Sequence, residues 1–346
     1  MDDTAPIRSE ERFDEGLVAD YLRSVISEFG PATPIEFSQF QGGHANLTYV
    51  VRGGDLELVL RRPPLGEVAP SSHDMAREHR VLAALHRAYP LAPQAFHYCE
   101  DPSIMGKPFF VMERRTGTVI RRNWPDQLAD DDATKRMVGE SFVDAVAALH
   151  GIDYGGLGLT DLGRPDGFVE RQVTGWTDRW GRARHEAVPD MDELAALLAE
   201  NTPSPQRASL IHNDFKLDNT MVDDDGRIVA VFDWDMSTIG DPLVDLGTTL
   251  AYWDGPPEVS VVAPPDGQVL GGVISVVEIV DRYQGSTGLD CSNIDWYRGL
   301  ASFRIAVILQ QIHIRYLRGQ TADERFALLG AVVPPLAAAG LRFLRS

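Results

Sequence analysis

Residues 210–219 read Leu-Ile-His-Asn-Asp-Phe-Lys-Leu-Asp-Asn, and they decide how the whole chain is interpreted. His212 lies two positions before Asp214, and Asn219 lies five positions after it, which gives the pattern H-x-D-x-x-x-x-N. A short apolar run further along the chain ends at Asp233. Asp and Asn are common turn residues, so each part alone has an ordinary explanation. Their succession in this order favours a functional site.

The spacing is that of a catalytic loop for phosphoryl transfer. Asp214 is the candidate catalytic carboxylate, which would accept or orient the proton of a substrate hydroxyl. Asn219 and Asp233 would supply the oxygen ligands that Mg²⁺ prefers. Lys216 is predicted to stabilise charge on the transferred phosphoryl group, with a surface lysine as the alternative. His212 is interpreted as a structural hydrogen-bonding residue behind the loop.

Composition narrows the possible partners. The chain has 346 residues, enough for about two domains, with 32 basic and 51 acidic residues and a net charge of −19. That charge repels nucleic acid and anionic membranes, so neither is an expected partner. Cys99 and Cys291 lie far apart and predict neither a disulfide framework nor a CxxC metal site. Without a signal-peptide pattern or an apolar stretch of about 18 residues, we expect a cytoplasmic protein.

Periodicity predicts an α+β fold in two lobes: a flexible tail at 1–12, a small β-rich N-lobe at 13–114 and a larger, mostly helical C-lobe at 115–346. The N-lobe has alternating strand patterns and two helical patterns. Its predicted strands are 35–40, 47–52, 57–62 and 109–113, and its predicted helices are 14–29 and 74–88. The predicted C-lobe helices are 135–150, 168–186, 191–200, 243–253, 271–283, 294–317, 322–329 and 337–344.

Several segments together resemble one protein family. HNDFKLDN (212–219) and VFDWDMSTIGDPLVDLG (231–247) resemble the aminoglycoside phosphotransferase and choline kinase-like superfamily. GGHANLTY (42–49), LVLRRPP (58–64) and two longer segments (156–172 and 296–320) resemble a branch of it. That branch includes the kinase-like domains fused to some acyl-CoA dehydrogenases. The resemblance covers roughly residues 15–320.

The resemblance implies a bilobal, protein-kinase-like fold that binds ATP in the cleft between its lobes. It matches Asp214 to the catalytic base and assigns Mg²⁺ to Asn219 and Asp233. Residues 41–46, which include Gly42, Gly43 and Asn46, match the loop over the nucleotide phosphates, where glycine allows close backbone approach.

The resemblance also implies roles for charged residues of the N-lobe. Arg61 lies where kinases carry the third-strand lysine, and it would contact phosphates and pair with Glu78. Arg62 is the alternative, but strand alternation directs the two side chains to opposite faces. Glu113 falls at the predicted hinge, where the backbone would hold the adenine.

Three interpretations remain for side chains of the C-lobe. Asp241 and Asp245 are predicted to be structural, with Asp241 capping a helix and bracing the catalytic loop. Trp176 and Trp180 are interpreted as packing residues. Four arginines on one helical segment form either a charged helix face or an anion-binding rim: Arg171, Arg179, Arg182 and Arg184.

The predicted function is ATP- and Mg²⁺-dependent transfer of the γ-phosphoryl group to a hydroxyl of a small molecule. The run from Asp233 to Gly240 is too short for the activation segment with which protein kinases dock peptides, which favours a small acceptor. A hydroxyacyl thioester or another metabolite is the expected acceptor. The alternatives are a kinase for aminoglycoside or macrolide antibiotics and a non-catalytic nucleotide-binding protein. No signal indicates an oligomeric state.

Overall fold

The computed structural model describes residues 4–41, 46–65, 74–261, 263–321 and 323–346. Two compact units form: Met1–Thr116 with Ala230–Ser237, and Gly117–Val229 with Thr238–Ser346. The sequence predicted a single boundary between the two lobes, after residue 114. Residues 230–237 instead join the first unit, because the Val231 N–H donates to the Leu91 carbonyl (2.8 Å) and the Trp234 ring packs on Tyr89.

The first unit is built on a six-stranded antiparallel sheet with the order β1-β2-β3-β4-β6-β5. The strands are β1 (Thr4–Ala5), β2 (Ile35–Phe40), β3 (Leu47–Gly53), β4 (Leu56–Arg62), β5 (Ala95–Cys99) and β6 (Phe109–Glu113). The helices are α1 (Glu15–Val25), α2 (Met75–Leu85) and α3 (Pro102–Met105). Asp14 and Asp74 cap the N-termini of α1 and α2, accepting from the N–H groups three residues on.

Two parts of this unit differ from the sequence prediction. Residues 4–12, predicted as a flexible tail, pack on the sheet: β1 pairs with β2, and Ile7 is buried. The Glu11 carbonyl accepts from the Arg62 guanidinium, a contact that no local pattern reveals. Strand β5 was not predicted, because its residues are almost all half-buried and show no alternation.

The second unit is mostly helical, and the α+β class is confirmed. Its helices are α4 (Asp132–His150), α5 (Phe168–Ala183), α6 (Pro189–Glu200), α7 (Pro242–Trp253), α8 (Asp266–Val269), α9 (Val276–Thr287), α10 (Ile294–Leu317) and α11 (Val333–Arg345). Strand β7 (Ser209–Ile211) pairs with β10 (Thr238–Gly240). Strands β8 (Thr220–Val222) and β9 (Ile228–Val231) form a second pair, and within β9 the chain passes into the first unit.

Two predicted helices begin elsewhere or take another form. The helix predicted from 271 begins at Val276, because Ser275 and Glu278 make a capping box there. The segment predicted as a helix at 322–329 is a 3₁₀ helix over Glu324–Val332.

One stretch of the described residues, Glu324–Arg345, is long and apolar enough to cross a membrane by length and composition alone. The sequence prediction that no such stretch exists is therefore wrong by this criterion. Its apolar face, including Val332, Leu336 and Leu341, is buried inside the protein. A core helix passes the same test, so the stretch is weak evidence for a membrane segment.

Candidate active site

A buried cluster of charges in the first unit centres on Arg61 of β4. Its Nη1 lies 3.1 Å from Oε1 of Glu78 on α2, and its Nη2 lies 2.5 Å from Oδ1 of Asp233. The Arg61 side chain is 10% exposed and that of Glu78 is 1% exposed. The structure thus brings three of the predicted residues together, and one guanidinium binds two carboxylates.

Burial sets the protonation of this cluster. It raises the pKa of Glu78 to about 7, although the Arg61 charge opposes the shift. Within the described part of the chain, no partner hydrogen-bonds Oε2 of Glu78. Burial would lower the pKa of Arg61, but the charges of Glu78 and Asp233 raise it above its usual range. The arginine therefore stays charged, and its removal would leave a buried carboxylate without a counterion.

Arg62 has a different, structural role. Its guanidinium donates to the Tyr49 hydroxyl (2.7 and 3.1 Å) and to the carbonyl groups of Met105 (3.2 Å) and Glu11 (2.5 Å). It also stacks over the ring of Phe13. Strand alternation separates the two arginines as expected, and Arg61 alone lies beside Glu78 and Asp233.

Asp233 occupies an unusual backbone position directly after β9. Its φ of 67° lies in the left-handed region, which non-glycine residues seldom adopt. A 3₁₀ turn follows at once, and the Trp234 indole N–H donates to the Val231 carbonyl (2.8 Å). The Asp233 side chain is 33% exposed. A carboxylate with one oxygen on Arg61 and a third of its surface accessible fits a Mg²⁺ ligand.

In the second unit, three side-chain donors surround the Asp214 carboxylate and form a frame around it. Asn219 Nδ2 and Lys216 Nζ lie 2.9 and 3.1 Å from its Oδ2, and the Tyr252 hydroxyl donates to its Oδ1 (2.8 Å). Asn219 Nδ2 also donates to the Asp214 carbonyl (2.9 Å). Both hydrogen bonds of Asn219 use nitrogen, so its Oδ1 is the atom that suits a hard cation.

Asp245 of α7 supports the loop that carries Asp214. Its Oδ2 and Oδ1 accept from the backbone N–H groups of His212 and Asn213, both at 2.7 Å. His150 Nε2 lies 3.1 Å from Oδ2 of the same carboxylate. These bonds support a strained backbone, because Asn213 has a φ of 69°.

The predicted bracing role of Asp241 was therefore wrong. Asp241 does cap α7, accepting from the Leu243 N–H (2.9 Å), but its other oxygen accepts from the Tyr297 hydroxyl (2.8 Å). One turn of helix further on, Asp245 is the residue that reaches the loop. Both carboxylates follow β10, and spacing alone does not show which of them reaches the neighbouring loop.

Lys216 is held by the Asp214 carboxylate. Burial would lower the pKa of Lys216, but the adjacent Asp214 carboxylate raises it above its usual range. The ammonium also lies 5.3 Å from the centre of the Tyr252 ring. Tyr252 was not predicted from the sequence, because a tyrosine near the end of an amphipathic helix has no pattern of its own.

A cavity of about 900 Å³ opens beside this frame, entirely within the second unit. Lys216 and Tyr252 form part of its wall, together with Asp266 of α8. The Asp266 Oδ2 accepts from the Leu217 N–H (3.0 Å), and burial raises the pKa of this carboxyl to about 7. The rest of the lining combines Arg121, Arg122 and Trp124 with apolar side chains of α10.

The remaining predicted residues have other placements. Gly42 and Gly43 lie outside the described residues, and Asn46 is buried. Glu113 uses its side chain locally, where its Oε2 accepts from the Gln94 N–H (3.0 Å) and pairs with Arg115.

The two tryptophans and the four arginines of the α5 segment are engaged within the second unit. Trp176 and Trp180 are buried, and their indole N–H groups donate within this unit. The four arginines have separate partners. Arg171 and Arg182 donate to backbone carbonyls, Arg184 pairs with Asp192, and Arg179 lies over the Trp176 ring.

The chain resembles known proteins over most of its length. The model of a family described as "Phosphotransferase enzyme family" matches residues 36–264. Acyl-CoA dehydrogenase family member 11 of Gallus gallus is 32% identical over 98% of this chain and 44% of its own length. The chain therefore spans less than half the length of this relative.

Solved structures extend the comparison to the fold. A Ralstonia eutropha protein, classed provisionally as an aminoglycoside phosphotransferase, is 29% identical with a TM-score of 0.82, covering 96% of this chain and 99% of its own. A thermostable mutant of aminoglycoside phosphotransferase APH(4)-Ia, in complex with AMP-PNP and hygromycin B, is 17% identical with a TM-score of 0.60, covering 93% and 99%. The predicted resemblance and the kinase-like fold are confirmed.

Proposed function

Because the chain belongs to the phosphotransferase enzyme family, we propose that it transfers the γ-phosphoryl group of ATP to a hydroxyl of a small molecule, with Mg²⁺. One observation carries the proposal: the Asp214 carboxylate is fixed by Tyr252, Lys216 and Asn219 beside a cavity of about 900 Å³. Phosphoryl transfer mainly requires that a protein position the reacting groups and stabilise their charge.

The reaction is a direct displacement. The acceptor oxygen forms a bond to Pγ while the bond from Pγ to the bridging oxygen of ADP breaks. The acceptor proton passes to the Asp214 carboxylate and then to solvent, and the charged Lys216 stabilises the phosphoryl oxygens. Arg61 contacts nucleotide phosphates, and Glu78 orients it. Mg²⁺ would neutralise phosphate charge, with Asn219 Oδ1 and the Asp233 carboxylate as its ligands.

A hydroxylated metabolite, such as a hydroxyacyl thioester, is favoured over a polycationic antibiotic as the acceptor. A cationic amine needs accessible carboxylates, and of the three that the described residues place in the cavity wall, Asp218 and Asp266 lie against partners whereas Asp126 is exposed. Asp266 accepts from the Leu217 N–H, and Asp218 lies 3.7 Å from Lys216. Arg121 and Arg122 add positive charge to the same lining.

An acceptor panel tests this proposal. ADP release is measured with ATP and Mg²⁺ in the presence of hydroxyacyl thioesters, choline, homoserine, aminoglycosides and macrolides. We expect turnover with a hydroxylated metabolite and none with aminoglycosides. Turnover confined to the antibiotics would reverse the choice of acceptor.

The same assay separates an enzyme from a non-catalytic nucleotide-binding protein. In the second case, ATP–Mg²⁺ raises the melting temperature but no acceptor increases ADP release above the acceptor-free rate. A chelator provides the metal control, because EDTA should abolish turnover and Mg²⁺ should restore it.

A further inference from the structure

The two oxygens of the Asp214 carboxylate have different surroundings. Oδ2 lies near two donors, Asn219 Nδ2 and Lys216 Nζ, and Oδ1 accepts only from the Tyr252 hydroxyl among the described residues. A carboxylate oxygen has two lone pairs for hydrogen bonding. Oδ2 is therefore saturated, and Oδ1 has room for one more donor.

Two of the side chains that hold the Asp214 carboxylate, Lys216 at Oδ2 and Tyr252 at Oδ1, line the acceptor cavity. Burial raises the pKa of Tyr252, and the neighbouring Asp214 charge raises it further, so the phenol remains a donor. It comes from α7, the helix that also carries Asp245 under the catalytic loop.

We infer that Tyr252 is a positioning residue, which orients Asp214 so that Oδ1 receives the proton of the acceptor hydroxyl. This inference rests on the proposed phosphotransferase function. The phenol keeps its proton throughout, while the acceptor proton passes to Oδ1 as the bond from oxygen to Pγ forms. Without the phenol, Asn219 and Lys216 still hold Oδ2, but rotation of the carboxylate about χ2 is less restricted and Oδ1 is less precisely placed.

The test compares two tyrosine-to-phenylalanine variants. Tyr252→Phe should lower kcat about 10- to 100-fold, because a small misplacement of a catalytic group is costly, while KM for ATP changes less than about twofold. Tyr297→Phe is the matched control, since its hydroxyl makes a bond of the same length (2.8 Å) to Asp241 at the start of α7. This control should lower the melting temperature with kcat within about twofold of the wild type.

A second readout does not depend on turnover. In protein labelled with ¹³C-carboxyl aspartate, the Asp214 resonance is assigned by its loss in Asp214→Asn. We expect it to shift in Tyr252→Phe and to remain in place in Tyr297→Phe. An unshifted resonance in Tyr252→Phe would overturn the inference even if no acceptor were found.

The kinetic outcomes separate this inference from the proposed function. If the wild type turns over and Tyr252→Phe keeps its kcat, the positioning role fails and the phosphotransferase function survives. If Tyr297→Phe loses as much kcat as Tyr252→Phe, the effect is a general loosening of α7 and the inference is again overturned. If the wild type phosphorylates no acceptor, the proposed function fails, and the NMR comparison still decides the hydrogen bond.

Discussion

The charged clusters of the two units are built in opposite ways. In the first unit, a cation is the centre: Arg61 lies between the carboxylates of Glu78 and Asp233. In the second, an anion is the centre: Asp214 is held by Lys216 and by two neutral donors. The first cluster is largely closed to solvent, whereas the second adjoins a large cavity.

This difference predicts that the loss of a charged partner lowers stability more in the first cluster than in the second. A buried ion pair contributes little net stability when intact, but the loss of one partner is severe because the other charge is left in a low-dielectric surrounding. A carboxylate beside a cavity can be hydrated, so it does not depend on its neighbours for charge compensation. Replacing such a carboxylate should therefore lower turnover much more than stability. The following variants test this contrast.

Asp214→Ala should have the largest effect. We expect kcat to fall at least about 10³-fold, because the group that receives the acceptor proton is lost, while ATP–Mg²⁺ still raises the melting temperature. Asp224→Ala, in an exposed turn of the same unit, is the control and should turn over normally. Near-normal turnover in Asp214→Ala would contradict the assigned role.

Arg61→Ala tests the first cluster. At pH 8, above the pKa of Glu78, the loss of its counterion should lower the free energy of unfolding by roughly 3–5 kcal/mol, measured by urea denaturation, because Glu78 must then stay ionised without a partner or take up a proton. Combining it with Glu78→Gln should recover part of this loss, because no unpaired charge then remains. Arg52→Ala, which breaks a more exposed ion pair with Glu57 on the same sheet, should cost less than about 1 kcal/mol. If Arg61→Ala and Arg52→Ala lowered the free energy of unfolding equally, the buried cluster would have no special dependence on its counterion.

The smallest effect concerns pH and Asp266. The pKa of this group is raised in the folded protein from 3.8 to about 7, so folding binds a proton between these values. Its contribution to stability is present at low pH and is lost as pH rises through about 7. Relative to Asp266→Asn, the wild type should lose on the order of 2 kcal/mol between pH 4 and 8, a value discounted for the partial exposure of the carboxyl. Urea unfolding of both proteins across this range measures it, and a constant difference would contradict the raised pKa.

Local patterns predicted much of the fold. Strands β2 and β6 and helix α10 have the bounds that the sequence indicated. Strand β5 was missed because its residues show no alternation, and the packed residues 4–12 were missed because they pair with β2, far along the chain. The reassignment of residues 230–237 likewise depends on contacts far along the chain.

In the site, too, some features followed from local sequence and others depended on residues far apart in the chain. The sequence determined the family and the residue types of the catalytic loop, because the spacing of His212, Asp214 and Asn219 reflects chemistry that is local in the chain. It also predicted that Arg61 and Arg62 point to opposite faces, and the structure decided that Arg61 is the one beside Glu78 and Asp233. Tertiary structure alone decided that Tyr252 holds Asp214 and that Asp245 supports the loop. Hydrogen bonds between residues more than thirty positions apart depend on how helices pack, and such packing has no signature in a short stretch of sequence.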